Sequence, residues 1–487
     1  MSQRALPPPA PLPASPTLLT GELLGAGLPE DGVRRFAEPF TISGELGTDL
    51  GPATSRLELG QTLIERLPAK PRRTELEQQA AAALLHALDE IRAALLRCHA
   101  GSIYASLTAD HTTPLRVDEL VYLAADRYPG LLPTRAAVTA ERAHQLKDKD
   151  GIEVAQGLFL SAVMALPRPG THLAHAMLLP TPGALERLED FRRSGIADLG
   201  TARVERRGTV GHVELSNPGY LNAEDDTTLE AQEIAVDLVL LDPDIEIGVL
   251  RGGTVDHPLY AGRHVFSAGI NLTLLYHGQL TYLFYISREL GLVNKLYRGL
   301  AGANRGIHEP EATHEKPWIA AVEAFAIGGG CQLLLVVDHV LAERGAFFNL
   351  PARREGIIPG AANLRLPRFV GDRLARQAIL GGREFFAGTP EGDLLCDEVV
   401  EPGTMDGAID HAVAGLTGSG LVSAGANRKA LRAGQEPLAS FLAYMAVYAR
   451  EQASCHFSPA LIRNLEQNWN AQERRPRPSP ASDDRSV

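Results

Sequence analysis

Two glycine-bearing turns carry the residues best placed to do chemistry: Val265-Phe266-Ser267-Ala268-Gly269-Ile270-Asn271 and Ile327-Gly328-Gly329-Gly330-Cys331-Gln332. Each follows a run that reads as a strand and opens a helical stretch, which leaves backbone N–H groups pointing out of the turn. Small residues there let a ligand oxygen approach the main chain closely. Two N–H groups converging on one oxygen stabilise negative charge, and loss of one donor costs roughly 2.7–4 kcal/mol of barrier stabilisation. Gln332, which closes the second turn, is an amide, so it forms hydrogen bonds but does not take and return protons as a carboxylate does. The chemistry on offer is stabilisation of an oxyanion without an adjacent proton shuttle. Taken singly, each turn reads equally as a tight strand-to-helix connection.

Turns of this kind need strands and helices to hold them. From about Leu199 onward, 209–215 alternates like a strand, 230–241 reads as a helix and 245–250 as a second strand. The apolar runs 318–322 and 334–341 suit a buried sheet, and the alternation indicates an α/β domain. Ahead of it, 30–200 reads as an all-helical domain. Thr74 and Glu77 form a capping box, and Leu76, Ala80, Leu84, Leu88, Ile91, Leu95 and Cys98 recur at helical spacing behind it, giving one buried stripe. Further helices are expected at 117–126, 136–147, 154–164 and 182–193, with turns at Arg127-Tyr128-Pro129-Gly130 and Pro167-Arg168-Pro169-Gly170. Residues 1–29 read as a mobile Pro-rich tail, 437–453 as an amphipathic helix, and 471–487 as a disordered tail.

A length of 487 residues exceeds the usual size of one core, so two domains are the first expectation. The net charge of -12 and the lack of a basic run point away from nucleic acid and anionic membrane as partners. Cys98, Cys331, Cys396 and Cys455 form no CxxC pair and read as reduced, buried thiols of a cytoplasmic protein. The N-terminal residues lack an apolar h-region, and no 18-residue apolar run is present. No metal site is expected: His212-Val213-Glu214 has no evident second histidine, and the histidines of His308-Glu309-Pro310-Glu311-Ala312-Thr313-His314 lie six apart rather than four.

Five segments, in order, resemble the crotonase (enoyl-CoA hydratase/isomerase) superfamily. They are Leu221-Asn222-Ala223, Phe266-Ser267-Ala268-Gly269-Ile270, Lys316-Pro317-Trp318-Ile319-Ala320-Ala321-Val322, Gly328-Gly329-Gly330-Cys331-Gln332 with Asp338, and Gly356-Ile357-Ile358-Pro359-Gly360. The resemblance implies a crotonase-like ββα spiral core at 201–420, beside the helical N-terminal domain and a C-terminal helical trimerisation segment at 421–470. It also implies a homo-oligomer, trimer or hexamer, and an acyl-CoA whose thioester oxygen is held by the N–H groups of Ile270 and Gly329.

The departures are informative. Hydratases of this superfamily carry glutamates at the positions of Gln332 and Ala352. Without them, addition of water has no positioned acid or base. A site that keeps the N–H pair and lacks both acids, joined to a helical domain of this size, resembles the cofactor-independent arylacetyl-CoA dioxygenases. That resemblance implies oxidation of a dihydroxyphenylacetyl-CoA by O2 to an α-keto acid and free CoA, with no metal, flavin or haem. Under it, Glu224 and Arg288 are candidates for holding the ring hydroxyls, although Glu224 also belongs to an acidic run and Arg288 also reads as a solvated helix residue. Ala268 and Ile358-Pro359-Gly360 are candidates for the acyl site, and Gln452 for completing a neighbour's pocket. His257, Arg263 and His264 are candidates for the CoA end, or form an ordinary basic loop. Two alternatives stay open: an acyl-CoA hydrolase or decarboxylase of the same superfamily, and a non-catalytic acyl-CoA-binding protein.

Overall fold

Thr74 starts the longest helix, Glu75–Leu107, with a reciprocal cap: its hydroxyl accepts from the Glu77 N–H, and its own N–H donates to the Glu77 carboxylate at 2.7 Å. A cap of this kind contributes about 1 kcal/mol. The helix buries Ala80, Leu84, Leu88, Ile91 and Leu95 of the expected stripe, but Leu76 and Cys98 are exposed, because beyond Leu95 the buried face continues in steps of four through His99 and Ile103. The computed structural model describes residues 16–39, 41–302 and 312–477. Val117–Arg127, Val154–Met164 and Pro182–Ser194 are helices close to their expected bounds. Two expectations shift. The 136–147 segment divides into Arg135–Arg142 and a 3-10 turn at Leu146–Asp148. The Pro-Gly signal at 167–170 begins a helix, Pro167–Leu178, because proline at the first helical position loses no hydrogen bond and presets φ.

Beyond residue 195, seven strands form one sheet in the order Ile196–Asp198, Ala202–Arg207, Val210–Leu215, Ile247–Gly252, Trp318–Val322, His339–Glu343 and Glu398–Val400. The first three pair antiparallel and the rest parallel. Both faces are covered, which explains the unbroken apolar run of Trp318–Val322. Trp318, Ala320 and Val322 enter the core beneath the helix Leu229–Leu241, while Ile319 and Ala321 meet Met405 and Ile409 of Met405–Thr417. A smaller sheet joins Phe325–Ile327, Phe347–Asn349 and Phe385–Phe386. The apolar run 334–341 is not one strand. Leu334 closes the helix Gly329–Leu334 and the strand starts at His339, a division that periodicity cannot make within a short apolar run.

The change of character near residue 200 is not a break in the core. Leu95, Phe159 and Leu173 of the N-terminal helices share one apolar cluster with Tyr282 and Leu290 and with Phe441, Met445 and Ala449 of the helix Leu438–His456. Gly157 lies so close to that helix that a Cβ there would stand 2.6 Å from the Ala453 methyl. Tyr282 ties three elements together, its N–H donating to Glu153 at 2.8 Å and its hydroxyl to the Ala449 carbonyl at 2.7 Å. The expected tails are shorter than the composition suggests. A helix spans Pro16–Gly25, and Ala471–Glu473 is a 3-10 turn; residues 1–15 and 478–487 lie outside the described residues, as do 308–311 of the His308 motif. No helix among the described residues is long and apolar enough to cross a membrane.

Candidate active site

The two glycine turns meet edge to edge. Ser267 and Ala326 form a parallel bridge, and the Ile327 N–H donates to the Ser267 carbonyl at 2.9 Å. Gly269 has φ +82 and lies against the second turn, where an added Cβ would stand 3.0 Å from the Gly329 nitrogen. Gly328 has φ +51, which L side chains rarely adopt, so it can reverse the chain between Ile327 and the helix Gly329–Leu334. Glu224 holds the first turn in register by donating its N–H to the Gly269 carbonyl (2.7 Å) and accepting from the Asn271 N–H (2.8 Å). Those bonds flank Ile270. Among the described residues, neither the Ile270 N–H nor the Gly329 N–H has an acceptor.

Behind the turns lies a buried polar array centred on Arg288. Its Nε donates to Glu224 at 3.1 Å, and one Nη donates to Glu289 at 3.1 Å and to the Gln332 Oε1 at 2.9 Å. The other Nη donates to the Gly329 carbonyl at 2.8 Å and pairs with Glu224 at 2.9 Å. All five guanidinium N–H bonds thus have acceptors. Burial pulls the Arg288 pKa down, but the Glu224 and Glu289 charges outweigh it and the net shift is upward. Arg288 ends the helix Tyr282–Arg288, and a π-turn, Glu289–Val293, follows. Such turns recur at functional sites. Arginine only donates, so the Gln332 oxygen faces it and the amide NH2 points elsewhere.

In front of the turns opens a cavity of about 630 Å³ whose wall includes Ala268, Ile270, Leu272, Ile327 and Glu355. Its rim carries His257, Arg354, Trp469, Arg474 and Arg477. Glu355 is half-buried, and burial pushes its carboxyl up to about 7. Cys331, directly before Gln332, is buried and its thiol is raised to about 12, so it is no nucleophile.

The structure therefore brings Ala268, Ile270 and His257 to the cavity, and joins Glu224, Arg288, Gln332 and the Gly329 carbonyl in one array. Ile358 donates its N–H to the Gln452 Oε1 at 2.8 Å, and Gln452 is fully buried within its own chain rather than turned toward a neighbour. Pro359 and Gly360 are buried, and a Cβ on Gly360 would strike Glu289 and Gln332. Arg263 and His264 lie off the cavity wall. Arg263 pairs with Glu343 at 2.7 Å, and the His264 ring bonds the Gly252 carbonyl at 2.8 Å. Sequence reasoning missed Glu289, Glu355 and the arginines of the rim. For Glu289 a signal existed, since a charged pair inside the apolar stretch Tyr282-Leu283-Phe284-Tyr285-Ile286 to Leu290 needs buried partners. Among the described residues no group of three or more His, Cys, Asp or Glu is arranged to hold a metal ion.

Residues 205–400 match the family model described as enoyl-CoA hydratase/isomerase. The chain is 46% identical over 419 residues to a (3,5-dihydroxyphenyl)acetyl-CoA 1,2-dioxygenase of Amycolatopsis orientalis, covering 85% of this chain and 94% of that one. It is 31% identical over 203 residues to a probable enoyl-CoA hydratase of Rhizobium meliloti, covering 42% of this chain and 69% of the relative. A crystal structure of an enoyl-CoA hydratase from Mycobacterium avium subsp. paratuberculosis is 20% identical, with a TM-score of 0.45, over 55% of this chain and 98% of that one.

Proposed function

The chain belongs to the enoyl-CoA hydratase/isomerase family, and from that premise we propose that it oxidises (3,5-dihydroxyphenyl)acetyl-CoA with O2 to 3,5-dihydroxyphenylglyoxylate and free CoA. The observation that carries this reading is the extent of the likeness to the dioxygenase. At 85% of the chain it exceeds what the core and the C-terminal helices alone can supply, so it runs into the N-terminal helices.

The geometry supports a consistent mechanism. The thioester oxygen sits on the Ile270 and Gly329 N–H groups, and loss of a Cα proton gives an enolate whose charge those donors stabilise. The enolate passes one electron to O2, and recombination forms a Cα–O bond. The terminal peroxide oxygen attacks the thioester carbonyl, the C–S bond breaks and CoA thiolate leaves. O–O cleavage with loss of the second Cα hydrogen as a proton yields the α-keto acid, which holds both oxygen atoms. The ring hydroxyls reach the polar array, where Glu224 accepts and the Gln332 NH2 donates, which avoids burying unpaired phenols. Ala268 and Ile358-Pro359-Gly360 bound the acyl site. Arg354, Arg474 and Arg477 on the rim suit the CoA phosphates, and Trp469 its adenine, with His257 beside them. No metal, flavin or haem takes part. The protein acts as a homo-oligomer, trimer or hexamer, to which the exposed Val422 and Leu431 of Leu421–Gln435 offer an apolar face.

The test is a coupled assay of O2 uptake and thiol release on (3,5-dihydroxyphenyl)acetyl-CoA. One O2 is consumed per thiol freed, before and after dialysis against a chelator; thioester cleavage without O2 uptake overturns the reading. A second expectation concerns the amide. Gln332→Glu places another carboxyl group against Arg288 and either supplies a competing proton near the enolate or disturbs the polar contacts to the intermediate, so oxygenation falls about tenfold, or about 1.4 kcal/mol. In D2O, substrate recovered from this variant carries more Cα deuterium per turnover than substrate recovered from the wild type. Unchanged oxygenation counts against a close role for the amide.

A further inference from the structure

The oxygenation reading leaves one chemical role without an owner: a group must accept the first Cα proton. The two positions where hydratases carry glutamates hold Gln332 and Ala352, and neither side chain is basic. Glu224 and Glu289, behind the turns, are both held by Arg288, and Glu289 also faces Arg365 at 3.7 Å. Burial raises the Glu289 pKa and its Oε2 accepts no hydrogen bond, but neither carboxylate is among the residues that line the cavity.

The titratable residues of the cavity wall are Tyr220, His257, Arg354, Glu355, Arg474 and Arg477. The arginines have no lone pair to offer. The Tyr220 oxygen accepts the Arg477 N–H at 2.6 Å, and His257 Nδ1 accepts the Leu259 N–H at 3.2 Å. Glu355 differs from all of these. Among the described residues its carboxylate has no hydrogen-bond or ion-pair partner, and it shares the wall with Ala268, Ile270 and Ile327. Its placement follows from the small sheet. Phe347–Asn349 pairs in parallel with Phe325–Ile327, the strand that leads into Gly328, and then enters the turn Ala352–Glu355. Adjacent strands of one sheet therefore lead into the Gly329 turn and into the turn that ends at Glu355. Gly356 follows with φ +99, packed so closely on the Leu461 backbone that a Cβ would lie 2.9 Å away, which fixes the end of the turn.

Resting on the oxygenation reading, we infer that Glu355 is the base that removes the Cα proton. The Cα–H bond breaks, its electron pair passes into the enolate and onto the thioester oxygen, and the proton binds a Glu355 carboxylate oxygen. Transfer of that proton to the departing CoA thiolate restores the carboxylate. Burial without a cationic partner gives the group a proton affinity near the working pH, where a general base is most effective.

The experiment is anaerobic exchange of the Cα hydrogens of (3,5-dihydroxyphenyl)acetyl-CoA in D2O, followed by mass spectrometry on the full-length protein. The wild type exchanges; Glu355→Gln exchanges about a hundredfold more slowly. Binding of an amide analogue, with NH in place of the thioester sulfur, stays within about threefold. Glu355→Asp keeps a carboxylate and recovers part of the rate, whereas a packing role would be served better by the isosteric amide. A glutamine variant that exchanges as fast as the wild type or the aspartate variant overturns the assignment, as does a wild type that consumes O2 but exchanges nothing. Because exchange needs no oxygen, a wild type that exchanges without O2 uptake in air defeats the oxygenation reading alone, and the same variants still decide the role of Glu355.

Discussion

Gly329→Ala lowers the turnover number for O2 uptake by about 10²- to 10³-fold, the usual cost of losing one donor from such a pair. The backbone at this position is helical and tolerates alanine, so the effect is one of space. A methyl group there would sit 2.1 Å from a Glu224 carboxylate oxygen and 3.2 Å from an Arg288 nitrogen. Either the ion pair gives way or the Gly329 peptide does. Displacing the peptide moves the N–H away from the oxygen on which charge develops, while displacing Glu224 disturbs the contact meant for a ring hydroxyl. Steady-state O2 uptake beside binding of the amide analogue separates the two. A fall in turnover with binding retained identifies the donor, and turnover within threefold of wild type contradicts the placement.

Arg288→Met costs about 3–5 kcal/mol of stability and leaves little oxygenation. The Arg288 and Glu224 side chains are 3% and 2% exposed, so removing the guanidinium leaves a carboxylate that water does not reach. Methionine fills most of the volume but satisfies none of the five acceptors. Lysine is not a rescue, because a single ammonium cannot span Glu224, Glu289, Gln332 and the Gly329 carbonyl at once. Denaturant midpoints at constant slope measure the loss. Replacing Glu224 and Arg288 together, by glutamine and methionine, recovers much of the stability without the activity, since a fully neutralised pair is cheaper than half of a charged one. A single variant as stable as the wild type contradicts this account of the array.

The chemistry of the turns was legible because glycine at positions 269 and 328 reports a backbone requirement, and a backbone requirement is local. The Thr74–Glu77 cap and the continuous apolar strand Trp318–Val322 were legible for the same reason: each is decided within a few residues. The roles of Arg288 and Glu224 were half legible. Their residue types were informative, but a solvated helix and a buried ion pair carry the same letters, and only packing between segments 64 residues apart separates them. Glu355 gave no signal, since its lack of a partner is a property of space. The Pro167 turn misled because proline opens a helix at its first position as well as interrupting one further in.

The interlocking of Val154–Met164 with Leu438–His456 also bears on how the chain comes into being. During synthesis the N-terminal helices leave the ribosome hundreds of residues before the segment that fills their groove beside Gly157 exists. Until Ala449 and Ala453 arrive, Phe159, Leu160 and Tyr282 face water, and the nascent chain holds an apolar cleft that a holdase-type chaperone can occupy. Completion of the cavity wall is then a late event of folding, so a polypeptide cut short before Leu438 remains exposed to proteolysis and aggregation however complete its sheet.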